Sequence, residues 1–124
     1  MSRVQMTVEF HLDVAHWMDD FPEGNPNRRL HGHSYLGTLI MEGPIDAQRG
    51  VLLEYQELMD KLSPILNHFD HRLLNELEGL AVPSTELLAQ QLFEKCKTEI
   101  PEVVGVELFR PTMGMKVRYP APKV

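Results

Sequence analysis

The stretch Val4-Gln5-Met6-Thr7-Val8-Glu9-Phe10-His11 sets the class of the fold. Val4, Met6, Val8 and Phe10 alternate with Gln5, Thr7, Glu9 and His11, a period of two that specifies a strand with one buried face. A polar connection follows over residues 19–29, broken by Pro22, Gly24 and Pro26. A second strand is expected over residues 34–42. Leu36, Thr38 and Ile40 share one of its faces, and Tyr35, Gly37, Leu39 and Met41 the other. Two largely apolar faces suit a central strand or one at a subunit contact. Gly43-Pro44 and Gln48-Arg49-Gly50 mark a loop. Leu58, Leu62, Ile65 and Leu66 then recur at a helical period over residues 53–67, with a kink or break expected near Ser63 because Pro64 has no amide hydrogen. Pro83-Ser84-Thr85-Glu86 begins a second helix: a hydroxyl caps free N–H groups and Glu86 suits the positive helix end. Leu88, Leu92 and Cys96 share its apolar face, with Leu87 alongside, and Pro101 lies beyond its end. Residues 103–109 and 115–119 read as two final strands around the Pro111–Gly114 turn. The order β-β-α-α-β-β predicts an α+β fold with a four-stranded antiparallel sheet, in a single domain over residues 1–124.

Composition bounds the function. The chain has 124 residues, 43% hydrophobic and 24% charged, which excludes disorder and collagen-like repeats. Its longest apolar runs, such as Val51-Leu52-Leu53, are far too short for a membrane helix. A net charge of −6, from 18 acidic and 12 basic side chains, argues against a nucleic-acid partner. The single cysteine permits no intrachain disulfide and no cysteine-rich metal cluster. Met-Ser-Arg-Val-Gln at the start carries no apolar signal core, so a cytoplasmic location is expected. A lone sheet with helices on one side leaves edges and a face uncovered, which predicts a homo-oligomer; Val4, Met6 and Leu39 are expected to supply its apolar surface.

Six histidines are unevenly spread. In His31-Gly32-His33, residues two apart on an extended segment face the same way, so both imidazoles reach one ion, and Gly32 lets the backbone come close. His16, just past the first strand, supplies a third ligand if the two strands pair. Three neutral imidazoles leave one tetrahedral position open on zinc, as at a catalytic site. The competing reading is an ordinary surface or core histidine pair. Asp70-His71 is a candidate proton-transfer unit, although adjacent side chains seldom face each other and a capped loop is the plainer alternative. Cys96 reads as a buried core thiol. Arg28 and Arg29 suit an anion or a solvated basic turn, and Trp17 and Met18 read as core or interface residues.

Four motifs in order then match a known pattern: Phe10-His11-Leu12-Asp13-Val14-Ala15-His16, Leu30-His31-Gly32-His33-Ser34-Tyr35, Phe69-Asp70-His71-Arg72-Leu73-Leu74-Asn75 and Pro83-Ser84-Thr85-Glu86. Together they resemble the 6-pyruvoyl-tetrahydropterin and 6-carboxytetrahydropterin synthases, over residues 6–119. The resemblance implies the tunnelling fold, in which two helices cover one face of the sheet and subunits join edges into a barrel, commonly a trimer or hexamer with active sites between subunits. It implies Zn2+ held by His16, His31 and His33, a pterin-like small-molecule substrate, and lyase chemistry assisted by Asp70 and His71. Substrate contacts are implied at Asn27, Thr85, Glu86 and Arg110. Two of these depart from the pattern. Asn27 stands where such enzymes carry a catalytic cysteine, and Arg110 stands where a glutamate grips the pterin edge. Glu23 and Glu107 are candidate substitutes. The departures leave two alternatives: a zinc enzyme of the same fold with a changed, anionic substrate, or a non-catalytic zinc- or ligand-binding homologue.

Overall fold

A computed structural model describes residues 2–123. Strands β1 (Arg3–His16) and β2 (His31–Pro44) pair antiparallel in one unbroken register, from Arg3 opposite Pro44 to His16 opposite His31. Helix α1 (Tyr55–Phe69) follows, then the two-residue strand β3 (Arg72–Leu73), helix α2 (Thr85–Glu99), β4 (Val103–Arg110) and β5 (Met115–Tyr119). The sheet order is β3-β1-β2-β4-β5, with β3 parallel to β1 and every other pair antiparallel. The sheet is therefore mixed and five-stranded, against the four antiparallel strands expected. A two-residue strand has no periodicity to read, and it pairs only at Val14 and Ala15. The α+β class stands.

Strand parity sorts the faces. Phe10, Leu12 and Val14 of β1, Tyr35, Leu39 and Met41 of β2, and Val106 and Leu108 of β4 enter one core with Leu58, Leu62 and Phe69 of α1 and Leu88, Leu92 and Cys96 of α2. Leu39 is fully buried there, so it adds nothing to an oligomer surface, whereas Val4 remains 37% exposed. The opposite face carries Leu36, Thr38, Glu107, Phe109, Lys116 and Arg118, aligned by register. Leu87 faces outward rather than into the core.

Both expected strands run longer than their apolar patterns. β1 reaches His16, and β2 takes in the whole His31-Gly32-His33 segment. Helix α1 passes through Pro64 without a break. Pro64 lies on the exposed side of the helix, and the buried Leu58, Leu62 and Phe69 anchor the segments on either side of it. Ser84 caps α2 by accepting from the Leu87 amide, as its position before the apolar run predicts. No helix among the described residues is long and apolar enough to cross a membrane.

Candidate metal centre and cleft

His16 ends β1, and His31 lies opposite it on β2. His33 shares the parity of His31, so all three imidazoles stand on the helix side of the sheet, at the end where the apolar core stops. Their ring centroids lie 4.5, 4.9 and 4.8 Å apart. One nitrogen from each falls within 4.8 Å of the others. The two-residue spacing on β2 and the pairing with β1 thus do what the sequence suggested, with His16 inside the strand rather than past its end.

Backbone carbonyls fix the tautomers. His16 Nδ1 lies 2.6 Å from the Pro83 carbonyl, and His31 Nδ1 lies 2.5 Å from that of Arg29. A carbonyl only accepts, so both Nδ1 atoms carry hydrogen and both Nε2 atoms present lone pairs. Those two Nε2 atoms are 3.0 Å apart. Two acceptors at that distance repel unless a cation or a proton lies between them. Burial, the dominant effect, holds both His16 and His33 below the usual imidazole value, His33 at about 4, with Arg110 adding to the depression. Three clustered imidazoles, two of them held at Nδ1 by backbone carbonyls, are a donor set that zinc takes, so the residues present fit the ion.

Beside the histidines is a cleft of about 340 Å³. Asn27, Thr85, Glu86 and Arg110 all line it with His16 and His33. Thr85 is held by Tyr35, whose hydroxyl is 2.6 Å from Thr85 Oγ1. Both groups are buried, and this bond ties the start of α2 to the middle of the sheet. Asn27 sits in a short 3-10 turn, Pro26–Arg28, capped by Asn25. Met18, Phe21, Met113 and Met115 also line the cleft, and none was marked as a site residue in the sequence. The Pro111–Gly114 turn directly after Arg110 signalled the last two, because a strand reversal there brings its flanks to the same end.

Asp70 and His71 do not line this cleft. They lie at the β3 edge of β1. Asp70 Oδ1 accepts from the Asp13 amide at 2.9 Å, the His71 amide donates to the Asp13 carbonyl at 2.7 Å, and His71 Nδ1 donates to Asp70 Oδ2 at 2.8 Å. The adjacent side chains do meet, against expectation, because His71 takes a left-handed backbone conformation (φ 58°) that turns them together. The Asp70 hydrogen bond and charge raise the His71 pKa, and the Asp13 amide is the main cause of the lowered Asp70 value. The His71 side chain is 77% exposed and faces solvent.

The candidate substitutes also stand outside this cleft. Glu107 lies on the opposite sheet face, 3.6 Å from Lys116 Nζ. Glu23 is exposed and outside the lining of the cleft. Cys96 is 1% exposed, and burial pushes its thiol up to about 12.

Comparison with known proteins bears on the family and the fold. A family profile described as 6-pyruvoyl tetrahydropterin synthase matches residues 5–121. The 6-carboxy-5,6,7,8-tetrahydropterin synthase of Synechocystis is 31% identical, over 94% of this chain and 92% of its own. Among solved structures, a Caenorhabditis elegans 6-pyruvoyl tetrahydropterin synthase superposes with a TM-score of 0.86 at 22% identity, covering 98% of each chain. A Plasmodium vivax 6-pyruvoyltetrahydropterin synthase, solved as a catalytic-residue variant, gives 0.67 at 16% identity over 95% of this chain and 98% of its own. With the profile spanning nearly the whole chain and the Synechocystis relative matched end to end, this chain belongs to the 6-pyruvoyl tetrahydropterin synthase family.

Proposed function

We propose that this chain is a zinc-dependent lyase that breaks a carbon–carbon or carbon–oxygen bond in a dihydroneopterin-type or related heterocyclic substrate. Family membership supports the pterin-related lyase. The observation that carries the zinc is the pair of Nε2 atoms 3.0 Å apart on His16 and His31, each ring held at Nδ1 by a backbone carbonyl, with His33 beside them. Zinc at these residues supplies Lewis-acid chemistry, lowering the pKa of an oxygen that binds it.

The chain's own residues divide the remaining work. Glu86, the only carboxylate lining the cleft among the described residues, accepts from the donor edge of a ring, and Thr85 beside it is fixed by Tyr35. Asn27 orients the substrate side chain through its amide but moves no proton. His71, poised by Asp70, is the acid–base residue. That pair stands outside its own cleft; the family resemblance, with active sites between subunits, supports its serving the cleft of a neighbouring copy in a homo-oligomer, a trimer or hexamer. With Asn27 in place of a titratable group and Cys96 sealed away, turnover of 7,8-dihydroneopterin triphosphate is expected to fall below the ordinary metabolic range of about one per second or faster.

Metal analysis and kinetics test this together. Purified protein is expected to hold one zinc per chain and His31→Ala to lose most of it. Full zinc content in His31→Ala overturns the ligand assignment. Turnover at ordinary metabolic rates overturns the role given to Asn27, and a monomer by light scattering at micromolar concentration overturns the shared site.

A further inference from the structure

Arg110 brings to the cleft a buried donor without a partner. Val106, Leu108 and Arg110 share the helix side of β4; the first two are sealed in the core, and Arg110 follows where the core gives way to the cleft. Its Nε is buried and has no hydrogen-bond partner. Among the described residues its guanidinium enters no ion pair, while Arg49 meets Glu57 and Lys116 meets Glu107. Arg118 also has an unpaired Nε, but it packs on the other face of the sheet against Gly105 and addresses no cleft. A buried guanidinium donor without an acceptor carries its desolvation cost uncompensated until a ligand supplies one.

The surroundings specify that ligand. Arg110 is close enough to His16 and His33 for its charge to depress the protonation of both. The cleft therefore holds a fixed cation beside imidazoles suited to a divalent one, with Glu86 the opposing charge in the lining among the described residues. Met18, Phe21, Met113 and Met115 give it apolar and polarisable walls that suit a flat ring. A guanidinium presents fixed donors that match the oxygens of a carboxylate or phosphate.

We propose that Arg110 sets substrate specificity by binding an oxyanion, so that the cleft selects a ring system bearing a carboxylate or phosphate whose oxygens accept from the Arg110 guanidinium. The ring identity rests on the pterin reading above; the oxyanion site does not.

The experiment uses the zinc-loaded full chain and has two parts. Calorimetry compares 6-carboxypterin with 6-methylpterin on the wild type and on Arg110→Gln. A charge-assisted hydrogen bond corresponds to roughly 10–150-fold in affinity, so the wild type is expected to prefer the carboxylated ring by about that factor. Arg110→Gln is expected to bring the two within about twofold, with zinc content and 6-methylpterin affinity unchanged. In the second part, the Arg110 Nε–H resonance, assigned by its loss in Arg110→Gln, is followed during titration with benzoate and with phenyl phosphate. A saturable shift is expected, and the tighter of the two probes identifies the oxyanion. Retention of the carboxylate preference in Arg110→Gln overturns the proposal, as does a resonance unmoved by benzoate, phenyl phosphate and 6-carboxypterin alike. If the small anions move the resonance and neither pterin binds, the oxyanion site stands and the pterin reading falls.

Discussion

Replacing Tyr35 by Phe removes one hydroxyl from the point where the sheet meets the start of α2. Tyr35 is 2% exposed and its Thr85 partner 5%, so no water can take the place of the lost group without rearrangement. A buried partner left unsatisfied costs about 1–3 kcal/mol. Unfolding entropy near 2.1 cal/mol/K per residue gives this chain roughly 0.26 kcal/mol per kelvin, so a loss of about 1.5 kcal/mol lowers Tm by about 6 °C. Thr85→Val, which keeps the shape and removes the same bond from the other side, is expected to cost a similar amount. The double variant is expected to cost little more than either single one, because two apolar groups leave nothing unpaired. Calorimetric Tm at fixed protein and zinc concentration measures the cycle, and ligand titration reports whether a loosened α2 start weakens the cleft beside it. Strict additivity of the two single losses would refute the reasoning, since it would mean that the hydroxyls do not depend on one another.

Two further outcomes follow from the side chains on either side of the sheet. Native protein at pH 8 is expected to leave Cys96 unmodified by Ellman's reagent, since burial raises the thiol to about 12, and to react at one equivalent after denaturation; rapid native labelling would show the thiol exposed. By NMR, His71 is expected to titrate above the usual 6.5 and Asp70→Asn to bring it down, because the aspartate hydrogen bond and charge hold the imidazolium. The raised His71 value makes the pair's contribution complete below pH 6.5 and lost as pH rises through the folded value. The lowered Asp70 value removes it again as pH falls through the folded carboxylate value, below 3.8.

Residue pattern carried the long elements because each has a repeated signal: alternation from Val4 to Phe10, and the Leu58 and Leu62 spacing of α1. It carried the histidine cluster for the same reason, since His31 and His33 share a strand face by arithmetic alone. It did not carry β3, whose two residues have no period. Of the kink or break expected near Ser63, the break does not occur, because tertiary packing on both sides of Pro64 outweighed a local rule. The hidden parts of the site are backbone groups and loop residues. No sequence pattern marks the Pro83 and Arg29 carbonyls as imidazole acceptors, and Met18 and Phe21 reach the cleft through a connection without periodicity. The meeting of Asp70 with His71 depended on one backbone angle, which a sequence does not display.

The pairing of β1 with β2 has a consequence for how such a chain can change in length. The register runs without interruption from Arg3 opposite Pro44 to His16 opposite His31, thirteen steps spanning about 44 Å at roughly 3.4 Å each. Because facing alternates with every residue, deleting or inserting one residue anywhere along either strand offers two outcomes. The ladder slips, and His16 turns away from His31 and His33, or a bulge absorbs the change at the cost of a core position. The histidine cluster is therefore recorded in the length of the whole hairpin and not only in its three residues. Tolerated insertions and deletions belong in residues 17–30 and 45–54, where no ladder keeps count.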